Sequence, residues 1–147
     1  MLEQAIIGRE IECSVLGNDF PRASLPGEII PHDEFYSYRA KYLDEKGASL
    51  VMPALLPPSV IKEIQQTAIK AFLQLECAGM ARVDFFLLQN KQILVNEINT
   101  LPGFTKISMY PKLWEISGLT QRNLITQLIN FALEKAKKRQ GLKRTLF

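Results

Sequence analysis

Histidine, cysteine and tryptophan are scarce in this chain of 147 residues: one His, two Cys and one Trp. The lone histidine, His32, stands between Pro31 and Asp33 in a loop-like setting and reads as structural or solvent-facing. No Ser-His-Asp arrangement can be confidently built around it. Cys13 and Cys77 supply neither a disulfide framework nor a zinc site. Each has apolar neighbours and reads as a buried thiol in a reducing compartment. Neither has a histidine near it in sequence, so thiol nucleophilic chemistry is unsupported. No run of about 18 apolar residues exists, so no transmembrane helix is expected. The first residues lack the basic start and long apolar stretch of a secretory signal, which makes a cytoplasmic location the expectation. Internal repeats and low-complexity linkers are absent as well.

What remains is ordinary globular material, 47% apolar and 22% charged, enough for one domain with a real core. The net charge of +3 is unevenly spread. Lys135, Lys137, Lys138, Arg139, Lys143 and Arg144 cluster at the end with only Glu134 against them. Such a tail can meet nucleic acid or an anionic surface. The plainer reading is a helix C-terminus whose dipole favours cations, so nucleic acid is not an expected partner.

Along the chain, residues 2–16 read as strand, with alternation clearest from Glu10 to Leu16. Gly17-Asn18-Asp19 marks a turn, and Glu28-Ile29-Ile30 a second short strand. Residues 35–46 are aromatic and charged without clear period. Leu50-Val51-Met52 is extended because it leads into Pro53. Pro57-Pro58 opens a helix with Ile61, Ile64, Ala68, Ala71 or Phe72, and Leu75 on one face, stopped by Gly79. Residues 82–88 and 93–98 form a hairpin around Gln89-Asn90-Lys91-Gln92. Residues 111–117 suggest a short helix. A last helix starts near Thr120 as N-cap and runs through Leu124, Leu128, Phe131 or Ala132, and Ala136 to Gly141. The fold class expected is α+β: a mainly antiparallel sheet with flanking helices, packed against one face.

The hairpin carries the chemistry. Residues two apart on a strand share a face, so Arg82 pairs with Asp84 and Glu97 with Asn99. If the strands pair as drawn, all four side chains gather on one side of the sheet. Two carboxylates and an amide oxygen suit a hard cation that also binds phosphates, and a cation relieves their mutual repulsion. The alternative is a surface ion-pair cluster worth at most about 1 kcal/mol. Ile93, Leu94, Val95 and Ile98 make the strand of Glu97 look buried, which argues against that alternative. By themselves, Tyr42 reads as a half-buried aromatic, Lys41 as a solvated lysine, Ser108 as a cap and Met109 as core filler. Glu3 and Glu10 carry no signal alone.

Ala81-Arg82-Val83-Asp84 together with Asn96-Glu97-Ile98-Asn99-Thr100-Leu101-Pro102-Gly103-Phe104-Thr105 resembles the C-terminal part of D-alanine–D-alanine ligases, of the ATP-grasp group. Tyr38-Arg39-Ala40-Lys41-Tyr42, Ser24-Leu25-Pro26-Gly27-Glu28-Ile29, and Glu3-Gln4-Ala5-Ile6 followed by Gly8-x-Glu10 resemble further segments of that family, in family order across nearly the whole chain. The resemblance implies an ATP- and Mg²⁺-dependent joining of two D-alanines for peptidoglycan precursors, with Mn²⁺ as a possible substitute. It implies Asp84, Glu97 and Asn99 as metal ligands, and Arg82 with the backbone N–H of Gly103 as oxyanion stabilisers. It also implies Lys41 on an ATP phosphate, Glu3 and the backbone at Ile6 on adenine, and Glu10 on the ribose. Ser108, with Met109 beside it, would hold the carboxylate of the second D-alanine. Tyr42 stands where tyrosine goes with amino-acid acceptors. Residues 1–47 would then belong to the central subdomain and 48–147 to the C-terminal one. The N-terminal domain and the front of the central domain would be lacking. An inactive, self-associating chain is the expectation; the intact family is homodimeric. Other readings are a related carboxylate–amine ligase, such as D-alanine–D-lactate, and a non-catalytic binding module.

Overall fold

In a computed structural model, residues 4–31, 48–105 and 107–141 are described. The expectations for Glu3, His32, residues 35–46 with Lys41 and Tyr42, Lys143 and Arg144 lie outside them. The strands are β1 (Arg9–Gly17), β2 (Arg22–Ala23), β3 (Gly27–Pro31), β4 (Ala48–Val51), β5 (Gly79–Leu87) and β6 (Ile93–Asn99). The helices among the described residues are α1 (Pro58–Gln74), α2 (Met109–Ile116) and α3 (Gln121–Gly141). The sheet runs β4-β3-β1-β5-β6, with β2 also on β1, and every pairing is antiparallel. This is the expected class, with one correction: helices flank both faces. Strand alternation explains why. Ile11, Cys13, Val15, Val83 and Phe85 point to α1 and pack on Val60, Ile64, Ala68 and Phe72. Leu16 and Ile29 point the other way, to Tyr110, Trp114 and Leu124 or to Met109 and Leu113.

Several boundaries move. β1 begins at Arg9, not residue 2, because its partner β5 ends at Leu87, opposite Arg9. Ile7 is 92% exposed. In α1 the buried row is Val60, Ile64, Ala68 and Phe72, and Leu75 is exposed. The helix stops before Gly79. Glu76 takes a left-handed φ of 51°, the Glu76 N–H donates to the Leu73 carbonyl, and the Cys77 N–H to the Phe72 carbonyl at 3.0 Å. This is a Schellman closure with glutamate where glycine is usual. Pro57 and Pro58 do open the helix, where their missing N–H groups cost nothing. α2 starts at Met109, earlier than expected. Thr120 caps α3 as expected, its Oγ1 accepting from the Asn123 N–H at 3.3 Å.

Gly27 sets how closely α2 approaches the sheet. A Cβ there would lie 2.5 Å from Met109 Cε and 2.8 Å from Leu113 Cδ2. The absence of a side chain lets the helix rest directly on β3. Tyr110 ties the same helix down, its hydroxyl donating to the Val15 carbonyl at 3.0 Å.

Candidate active site

The β5–β6 register brings the hairpin residues together. Arg82 stands opposite Asn99 and Asp84 opposite Glu97. Between Glu97 and Val95 the register slips by one, leaving Asn96 as the extra residue of a β-bulge. Ile93 faces α1, and without the bulge Glu97, four residues on, would face α1 too. The bulge reverses the alternation, so Ile98 returns to the core while Glu97 and Asn99 join Arg82 and Asp84. One expectation fails here. Among the described residues β6 is the edge of the sheet, and Glu97 is exposed rather than set in a buried strand. Cross-strand pairing, not burial, brings Glu97 to Asp84.

Arg82, 9% exposed, makes a two-pronged contact with Asp84. Nε donates to Oδ1 at 2.7 Å and Nη2 to Oδ2 at 2.8 Å. A third carboxylate, Glu12, comes from β1. It is 4% exposed, stands opposite Asp84, and its Oε2 lies 3.2 Å from Arg82 Nε. Glu12 is not among the site residues that the sequence singles out. Its signal was the alternation of Glu10, Glu12 and Ser14 with Ile11, Cys13 and Val15, which puts the three polar residues on one face. Ser14 Oγ, next along, donates to the Tyr110 carbonyl at 3.3 Å.

Beside this cluster lies a cavity of about 140 Å³. Arg82, Asn99, Gly103, Ser108, Met109 and Glu12 line it, along with Thr105 and Ile107. Five residues singled out from the sequence therefore meet in one pocket. A Cβ on Gly103 would fall 2.8 Å from Ser108 Oγ, so glycine permits the turn to close on that hydroxyl. Ser108 does not cap α2 through its side chain. Its Oγ accepts from the Thr105 N–H at 2.9 Å and shares a hydrogen bond with Thr105 Oγ1 at 2.8 Å, holding it at the cavity. Met109 is 4% exposed and packs with Ile29 and Leu113. Glu10 shares the face of Glu12, opposite Phe86 and Ile29, and Ile6 precedes β1; neither lines the cavity. Glu3, Lys41 and Tyr42 fall outside the described residues.

The donor set suits a hard cation. Asp84 and Glu97 are directly paired carboxylates, and Asn99 adds an amide oxygen. Asp84 keeps lone pairs beyond those taken by Arg82. Asn99 Oδ1 accepts from the Leu101 N–H at 3.1 Å and likewise keeps one. Cys13, on the opposite face, is no competitor for chemistry. Burial pushes its thiol up to about 12, so the nucleophilic thiolate does not form near neutrality.

The family model described as D-ala D-ala ligase C-terminus matches residues 1–130. A D-alanine–D-alanine ligase of Shouchella clausii is 57% identical over 147 residues, 100% of this chain and 40% of that protein. The solved D-alanine–D-alanine ligase of Coxiella burnetii superposes with a TM-score of 0.82 at 54% identity, covering 94% of this chain and 35% of that one. A D-alanine–D-alanine ligase of Bacillus anthracis, solved in complex with ATP, gives a TM-score of 0.74 at 29% identity over 93% of this chain and 43% of its own. The chain thus spans about 40% of the length of the curated relatives it matches.

Proposed function

Because the chain belongs to the D-alanine–D-alanine ligase family, matching its C-terminal part, we propose that it forms the metal-binding and acceptor side of an ATP- and Mg²⁺-dependent ligase joining two D-alanines. In that reaction one D-alanine carboxylate is activated as an acyl phosphate at the expense of ATP. The amine of the second then displaces phosphate. The observation that carries the reading is the convergence of Arg82, Asn99, Gly103 and Ser108 on one cavity beside the paired Asp84 and Glu97.

In this reading Asp84, Glu97 and Asn99 hold Mg²⁺, which when bound neutralises phosphate charge. Arg82 presents a fixed cation to the oxyanion of the tetrahedral intermediate, and the Gly103 N–H a second donor. Ser108 Oγ, held by Thr105, takes the carboxylate of the incoming D-alanine, with Met109 forming the apolar wall. By resemblance, Lys41 serves an ATP phosphate, Glu3 and the Ile6 backbone the adenine, Glu10 the ribose, and Tyr42 the choice of an amino-acid acceptor. Residues 1–47 belong to the central subdomain and 48–147 to the C-terminal one. Rate comes from positioning and charge neutralisation.

A chimera tests this. Residues 1–147 replace the matching stretch of the Shouchella clausii ligase, and phosphate release is followed with ATP, Mg²⁺ and D-alanine. Activity is expected, and Asp84→Asn or Glu97→Gln should remove it. A folded, inactive chimera, or one indifferent to both substitutions, overturns the reading. The polypeptide of 147 residues alone should show no turnover; a rate matching an intact ligase would contradict that.

A further inference from the structure

Glu12, Asp84 and Glu97 come together on one face of the sheet beside the guanidinium of Arg82. Both oxygens of Asp84 already accept from Arg82. A cation drawing on those oxygens weakens the two bonds between Asp84 and the guanidinium. Arg82 must nonetheless stay over the cavity shared with Gly103 and Ser108. The neighbouring strand offers a second acceptor. Glu12 Oε2 is 3.2 Å from the same Nε that donates to Asp84, and Glu12 lines the same cavity. Burying a carboxylate to 4% exposure is unfavourable without a cationic partner.

We propose that Glu12 is the positioning residue of Arg82: its carboxylate holds the guanidinium over the cavity when Asp84 turns to a divalent cation. This rests on the metal-site reading above. Glu12 makes no contact with substrate in this scheme; it acts through Arg82. The two carboxylates divide the work. Asp84 exchanges its cation, from guanidinium to metal, and Glu12 keeps Arg82 from following Asp84 or swinging away.

Mn²⁺ is the probe, titrated into the chain of 147 residues, with the free ion counted by electron paramagnetic resonance. Saturable binding is expected, with Asp84→Asn abolishing it. Glu12→Gln should weaken it about tenfold, the lower end for partners that orient a metal ligand. In an Arg82→Met background the same Glu12→Gln change should have less than about a twofold effect, because its route through Arg82 is gone. With Mg²⁺ present, the Arg82 Nε–H resonance should stay sharp in the parent chain and broaden in Glu12→Gln. An undiminished tenfold effect in the Arg82→Met background overturns the proposal, because Glu12 then acts by its field alone. Parent-like affinity and a sharp resonance in Glu12→Gln overturn it too, while loss of binding in Asp84→Asn leaves the metal site standing. No saturable binding in the parent chain, or none lost in Asp84→Asn, removes the metal-site reading and the proposal with it. Should Glu12→Gln fail to fold, Glu12→Asp decides: it keeps the charge but withdraws it by a methylene. Weakened binding there supports the contact and unchanged binding refutes it.

Discussion

Replacing Arg82 by methionine removes a guanidinium from beside two carboxylates, Asp84 and Glu12, that are almost wholly buried. Arg82 is 9% exposed, Asp84 8% and Glu12 4%. Methionine keeps much of the aliphatic stem, so packing changes little. What changes is that two carboxylates lose a guanidinium at 2.7, 2.8 and 3.2 Å. Removing one partner of a buried ion pair typically costs about 3–5 kcal/mol. A solvated surface pair would cost at most about 1 kcal/mol. For a chain of this size the buried case lowers Tm by roughly 10–15 °C. The measurement is urea unfolding followed by circular dichroism, with the midpoint compared at constant slope. Adding Asp84→Asn and Glu12→Gln to Arg82→Met should recover most of the loss, since the two buried carboxylates are then neutralised together with the guanidinium. A loss below about 1 kcal/mol in Arg82→Met, or no recovery in the triple variant, would falsify the view of this cluster as a desolvated ion-pair network.

Glu76→Gly should stabilise the chain by about 0.5–1 kcal/mol, raising the urea midpoint, because Glu76 holds a φ of 51° that glycine adopts without strain; a lower midpoint would show that the closure of α1 tolerates glutamate freely. Burial raises the Cys13 thiol from 9.0 to about 12, so the unfolded chain gives up that proton first. The associated stability is complete below pH 9 and lost between pH 9 and about 12, with a slope of about 1.4 kcal/mol per pH unit. Cys13→Val should flatten that part of the alkaline unfolding curve, and an unchanged slope would contradict the assignment. Tyr110, also raised by burial, adds to the same alkaline limb and should remain in the variant. Along α3, Ile125, Ile129 and Leu133 form an exposed aliphatic row, 44%, 55% and 56% exposed. Light scattering of the chain alone should show self-association, reduced by Ile129→Lys; a clean monomer at high concentration refutes this.

The elements were legible where a local period or a capping residue fixes them. The middle of the α1 row (Ile64, Ala68 and Phe72, though not its ends), the Thr120 cap of α3, the Pro57-Pro58 start and the 82–98 hairpin follow from residues close in sequence. The pairing of Arg82 with Asp84, and of Glu97 with Asn99, follows from the two-residue repeat of a strand. Edge position is different, because it depends on which strand finds which neighbour. The apolar run of β6 looked buried, yet among the described residues β6 stands last in the strand order. The class of helix-flanked sheet was readable, but the covering of both faces was not. Leu16 and Val15 are adjacent, and only packing shows that a different helix covers each.

The order of residues by itself determined which oxygen-bearing and cationic groups this protein carries and the repeats that gather them in pairs. Tertiary structure decided that the pairs meet. The bulge at Asn96 turns Glu97 and Asn99 toward Arg82, the Gly103 turn closes on Ser108, and β1 delivers Glu12 from 70 positions before Arg82. The reason is that side-chain direction is a local property of each strand, whereas register and neighbour are settled by burial summed over the whole sheet.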